Sequence, residues 1–154
     1  MNVNAKTKMD LTAILSEHAK WLVDPATGKR AVLVKANLSG VNLSGVNLSG
    51  ANLSGANLSG SNLRWANLTD ADLGGANLKG ADLARAYLTE ANLKGANISG
   101  ANLKEAYLRW ADLRGSNLSG SDLSGANLRW SNLKEANLSG ANLKGAYLAG
   151  SIRD

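Results

Sequence analysis

Along most of this chain the apolar positions recur every five residues. From Ala36 to Gly150 the sequence divides into 23 consecutive five-residue units without an insertion, among them ANLSG, VNLSG, ANLKG, ADLAR and AYLTE. The third place is Leu in every unit except at Ile98, and the first is Ala, Val (41, 46) or Ser (61, 116, 121, 131). The second place is Asn or Asp, with Tyr only at 87, 107 and 147, while the fourth and fifth vary. This period fits neither regular element. On an α-helix five residues advance about 500°, so the leucines would wander around the whole surface. On a flat strand an odd period sends successive leucines to opposite faces. The unit must therefore turn the chain so that each Leu faces the same interior, which predicts a stacked solenoid of β-type corners. Small Ala or Ser beside each Leu keeps that interior narrow, and the 17 Gly residues permit backbone angles closed to other residues.

Upstream the pattern changes. Leu11, Ile14, Leu15, His18 and Leu22 share one face at helical spacing. Asp10 is an N-cap candidate, and Asp24-Pro25 stops the helix near Val23. Residues 1–9 read as a flexible basic tail, 10–30 as a capping helix and turn with Gly28 allowing the reversal, and 31–154 as the repeat domain. Residues 31–35 form a degenerate first unit with Leu33 in phase. The helix is expected to cover the open N-terminal end of the solenoid. His18, the only histidine, has no second His, Cys or acidic pair to complete a site, so a packing or capping role is expected.

The A-[N/D]-L-x-x pattern resembles the pentapeptide-repeat family, over about three quarters of the chain, and in its regularity bacterial and cyanobacterial members. The resemblance implies a right-handed quadrilateral β-helix with four units per coil, the third-place Leu and first-place Ala pointing inward. Multiples of twenty residues separate Tyr87, Tyr107 and Tyr147, and also Trp110 and Trp130, which agrees with that coil. About six coils follow, at roughly 4.8 Å per rung.

With a 20-residue coil the variable places fall into columns. One side carries mostly Ser-Gly. A second aligns Trp65, Arg85 and Glu105, a cation–π contact followed by an ion pair. A third aligns Thr69-Asp70, Thr89-Glu90, Arg109-Trp110 and Arg129-Trp130 beside Tyr87 and Tyr107. Arg and aromatics are enriched where partners bind, so Tyr87, Tyr107, Arg109, Trp110, Arg129 and Trp130 form the candidate interaction surface. The competing reading is self-stacking that only strengthens the ladder. A fourth side aligns Lys94, Arg114 and Lys134 as a short basic stripe, open to an anion or simply solvated. After Gly150 the repeat stops, with Arg153 at the next Leu place, and Leu138, Leu143, Leu148 and Ile152 are left as a candidate end for a tail-to-tail homodimer, a mode the family resemblance also implies.

Composition narrows the function classes. Cys is absent, so there is neither a disulfide framework nor thiolate chemistry. Asp72, Asp82, Asp112 and Asp122 stand in the Asn slot and read as turn residues, and the fourth-place serines have no His–Asp partners. No phosphate loop, dinucleotide motif or zinc spacing is present; no cofactor and no enzymatic activity are expected. The start is polar, and no stretch approaches the roughly 20 apolar residues that cross a bilayer, so no membrane partner and a cytoplasmic location are expected. The leading expectation is a rigid scaffold for an unidentified protein partner. Some members of the family resemble duplex DNA through a strongly negative surface and act against topoisomerases; here Lys+Arg 17 against Asp+Glu 12 gives net +5, the wrong sign for a mimic. Nucleic-acid or anion binding through the basic columns is the remaining alternative, disfavoured by the interspersed acids.

Overall fold

The computed structural model describes residues 3–153, with side chains from Leu11 onward, and falls into two units, Met1–Val32 and Leu33–Asp154.

The first unit is built on one helix, α1, Val3–Val23. It begins upstream of Asp10, so the tail expected over 1–9 is helical from Val3, and residues 1–2 lie outside the described residues. The physical reason is that Ala5, Lys6, Lys8 and Met9 favour helix and no Gly or Pro interrupts them. Pro25 ends α1 as expected. Asp24 then closes the turn, its carboxylate accepting from the Ala26 N–H at 2.9 Å and its carbonyl from the Thr27 N–H at 2.9 Å. Gly28 lies at the bend where the chain reverses, as expected, and the reason for Gly there is steric. A Cβ there would lie 2.3 Å from the Trp21 nitrogen and 2.4 Å from the Glu17 oxygen, so Gly is needed for backbone to meet backbone. The returning segment donates from Lys29 N–H to the Glu17 carbonyl (3.1 Å) and from Ala31 N–H to His18 Nδ1 (3.1 Å). His18 is fully buried and stacks on Trp21 with centroids 5.4 Å apart. Its role here is structural, as an acceptor for the returning backbone. His18→Leu is therefore expected to cost about 1–3 kcal/mol, because the Ala31 N–H is left buried without its acceptor; the loss of helical ellipticity on heating measures it. Among the described residues no helix is long and apolar enough to cross a membrane.

In the second unit the second-place residues form parallel bridges to residues 20 further on, in four columns that include Asn37–Asn57–Asn77 and Asn67–Tyr87–Tyr107. Four units thus make one coil. Each unit contributes a one-residue bridge, since a turn begins two residues later. Every third-place residue from Leu33 to Leu133 is at most 5% exposed, which is the leucine interior expected from the period. First-place Ser61, Ser116, Ser121 and Ser131 are equally buried, and each hydroxyl donates to the preceding third-place carbonyl at 2.7–2.8 Å. The narrow interior therefore holds no unsatisfied serine.

Five backbone N–H groups per unit must find acceptors. In the unit Ala96–Gly100 they all do. Ala96 donates to Leu93 across the turn (3.0 Å), and Asn97 donates one coil back to Ala76 (2.9 Å). Ile98 donates one coil forward to Asn117 (2.7 Å), and Gly100 forward to Ser119 (2.9 Å). The fifth, Ser99, donates to the Asn97 side-chain oxygen at 3.2 Å. That bond explains the Asn slot: the side-chain amide closes an Asx turn. Asn also donates down its column, as from Asn92 to Asp72 at 2.8 Å and from Asn102 to Asp82 at 3.0 Å, so Asp serves as a pure acceptor in the same slot.

A ladder of stacked aromatics and charges

The fifth place of each unit has positive φ, between 55° and 73°, whether the residue is Gly or not. With the bond from first-place N–H to third-place carbonyl, this is the pattern of a type II turn, which favours Gly at that position. Nine fifth places nevertheless carry other residues, among them Trp65, Asp70, Arg85, Glu90, Glu105, Trp110 and Trp130. Each such residue costs about 1–2 kcal/mol of backbone strain. Seven of the nine lie on the second and third faces, and Lys35 and Glu135 lie on the fourth.

On the second face the expected contacts form. The Arg85 guanidinium sits 4.9 Å from the Trp65 ring, and Arg85 Nε donates to the Glu105 carboxylate at 2.7 Å. That hydrogen bond holds the Glu105 carboxyl below the usual carboxylate range. Arg64 pairs with Asp82 at 3.2 Å and Lys104 with Asp122 at 3.2 Å.

The third face brings all six candidate residues together. Tyr87 and Tyr107 stack at 4.9 Å with planes 5° apart, and Trp110 and Trp130 at 5.4 Å with planes 18° apart. Arg109 lies over both indoles, 4.3 Å from Trp110 and 4.9 Å from Trp130, and its Nε is buried without a hydrogen-bond acceptor. Arg129 lies 4.9 Å from the Tyr147 ring. Tyr147 was absent from the expected set, although its place 20 residues after Asn127 put it in the same column. Gly150 was missed as well: the Trp130 indole covers it so closely that a Cβ would lie 2.3 Å away.

Magnitudes decide what this stacking achieves. An aromatic pair contributes about 0.5–1.5 kcal/mol, and an exposed cation–π contact about 0.5–1 kcal/mol. Against these stand the strained turns of Trp110 and Trp130, about 1–2 kcal/mol each. Tyr87 and Tyr107 also replace Asn, so the turn N–H groups of Thr89 and Arg109 lose an Asx acceptor, about 1 kcal/mol each. The pairwise contacts thus roughly offset the strain and the lost Asx bonds, and burial of about half of each ring supplies the remaining stabilisation. Meanwhile Tyr87 and Tyr107 remain 40% exposed, Trp110 49% and Trp130 47%.

The fourth face is less basic than its column suggested. Arg114 folds back onto Asp112, with contacts at 2.5 and 2.8 Å, and this bond lowers the Asp112 carboxyl pKa. Lys94, Arg114 and Lys134 line a cleft of ≈ 230 Å³ together with the acidic Glu135. Among the candidate dimer-end residues, Leu138, Leu143 and Leu148 are half-buried, unlike the leucines before them. Ile152 takes the second place, bridged to Asn132 and 55% exposed, so it stands outside the leucine layer.

A family model described as pentapeptide repeats matches the chain in 8 copies, over residues 31–70, 66–104, 101–140 and 121–152. Comparison with curated proteins gave no match. Among solved structures, the chain is similar to HetL, a pentapeptide repeat protein involved in heterocyst differentiation regulation in Nostoc sp. PCC 7120, with 31% identity, 80% of this chain and 73% of that chain covered, and TM-score 0.31. It is similar to the pentapeptide repeat protein Rfr23 of Cyanothece 51142, with 29% identity, 91% and 99% coverage and TM-score 0.38. A third is full-length QnrB1, a plasmid-mediated fluoroquinolone resistance protein, with 21% identity, 80% and 82% coverage and TM-score 0.31.

Proposed function

The chain belongs to the pentapeptide-repeat family, and on that footing we propose that it is a non-catalytic interaction scaffold whose third face binds protein. The coil is then the family's right-handed, quadrilateral β-helix, a rigid support that fixes side chains about 4.8 Å apart along each column. One observation carries the reading. The chain accepts strained turns and forgoes Asx bonds to place Tyr87, Tyr107, Trp110 and Trp130 side by side on the surface, where 40–49% of each remains exposed. Strain kept at a cluster of exposed anchor-type residues supports a binding role.

Charge argues against imitation of duplex DNA, since the chain carries net +5. Direct nucleic-acid binding fares little better, because Arg64, Arg85, Lys104 and Arg114 are all engaged with carboxylates. The test is capture from the native host with wild-type bait and with Trp110→Ala/Trp130→Ala bait. Proteins recovered by the first are expected to be lost from the second; identical recoveries would show the aromatics to be ladder reinforcement only.

A further inference from the structure

The third face has an order that the other faces lack. Read coil by coil at its turns, it runs neutral (Ser49-Gly50), acidic (Asp70), acidic (Glu90), basic (Arg109), basic (Arg129) and neutral (Ala149-Gly150). This series is antisymmetric about its midpoint, between the rungs of Glu90 and Arg109. Tyr87 and Tyr107 flank that same midpoint, one on each side. Elsewhere on the coil, acids and bases are placed to neutralise one another, as in Arg85–Glu105 and Arg64–Asp82. Here they are segregated, and none of the four joins an ion pair among the described residues.

We propose that the partner of this face is a second copy of the chain, laid antiparallel and face to face about a twofold axis through the Tyr87–Tyr107 stack. The inference rests on the reading of the third face as a binding surface and names its occupant. A twofold axis at the midpoint carries each rung onto its mirror rung. Asp70 then meets Arg129 of the second copy and Glu90 meets its Arg109, and each pair occurs twice, as an isologous contact requires. The tyrosines meet at the centre, where an interface is most apolar. Gly150 with its covering Trp130 stays toward the rim, opposite the small residues Ser49 and Gly50. A parallel arrangement is excluded by the same series, because it sets like charge against like. Six rungs span only about 24 Å at 4.8 Å each. The contact belongs to the small, weak class of interfaces and is weakened by salt, since its pairs lie at the surface.

Two charge-reversal variants test it by sedimentation velocity at low salt, with circular dichroism melts to verify the coil. Arg109→Glu/Arg129→Glu makes the face wholly acidic, and Asp70→Lys/Glu90→Lys makes it wholly basic. Positive φ tolerates such residues, as Lys35 and Glu105 already show. Wild type is expected to dimerise, each variant alone to lose dimer affinity on the order of 100-fold, and an equimolar mixture of the two to dimerise again. Leu143→Lys, at the half-buried last coil, is expected to leave the dimer intact. The proposal is overturned if wild type stays monomeric at millimolar concentration, if either reversed variant still self-associates, or if two folded variants fail to pair when mixed. It is also overturned if Leu143→Lys dissolves the dimer, which would locate self-association at the tail. A monomeric wild type whose captured proteins still depend on Trp110 and Trp130 removes the self-pairing alone and leaves the binding face standing.

Discussion

Leu88→Ala is expected to destabilise the coil by about 3 kcal/mol, within the 2–5 kcal/mol range for a buried leucine. Leu88 is fully buried, with Leu68 and Leu108 one coil to either side in its column, also fully buried. The backbone cannot close on the vacancy, because the N–H of Leu88 is bonded forward to Tyr107 at 2.7 Å and that of Tyr87 back to Ala66 at 2.9 Å. First-place Ala86 and Ala91 are too short to fill it. Since each coil contacts only its neighbours, a central defect also weakens the coupling between the two halves of the stack. Leu148→Ala, at a half-buried leucine, should cost clearly less. Urea titration followed by circular dichroism separates the two, and an unchanged slope for Leu88→Ala would show that the loss lies in the folded coil. Equal effects at 88 and 148 would contradict a sealed leucine interior.

Gly100→Val is also expected to destabilise the coil, by about 1–2 kcal/mol. Gly100 has φ of +63°, and a Cβ built there meets nothing within 4 Å. The cost is therefore purely conformational, and it should rise from Asn through Ala to Val, with the last worst because β-branching hinders the left-handed region. Gly150 offers the contrast. Its φ is +73°, but an added methyl also collides with the Trp130 indole, so Gly150→Ala should additionally unstack Trp130 and shift its fluorescence. If Gly100 tolerates Val without loss of stability, the type II turn assigned to every unit is wrong.

The interior was legible from the five-residue period, and the columns from the 20-residue coil that the family resemblance implied and the Tyr and Trp spacings supported. Leucine at every third place can be buried only if the chain turns each five residues, and Tyr87 can lie on Tyr107 only if the coil closes after 20. The Asn slot was legible because the short amide has a known affinity for nearby backbone N–H groups. What stayed hidden depends on rotamers and close approach. Arg114 can extend along its column or curl onto Asp112, and sequence does not choose between them; the basic stripe was overdrawn for that reason. Arg129 reaching Tyr147 is the same kind of choice. The turn at Gly28 was legible, but the close approach to Glu17 and Trp21 of α1 that requires Gly there is not revealed by number spacing. The left-handed turn at Trp110 and Trp130 was hidden too, because Trp carries no conformational signature of that region. It becomes visible only through the glycines that occupy the equivalent place elsewhere.

Every face of the coil depends on the vertical register of residues 20 apart, and the absence of native Cys allows that register to be read directly. Nitroxide labels attached after Ser99→Cys/Ser119→Cys and, separately, after Ser99→Cys/Arg114→Cys report proximity through spin–spin broadening of the electron paramagnetic resonance spectrum. Strong exchange is predicted for the first pair, whose backbones lie about one rung apart, and clearly weaker broadening for the second, which spans two columns. Stronger coupling between 99 and 114 than between 99 and 119 would contradict the 20-residue coil, and with it every column drawn from it.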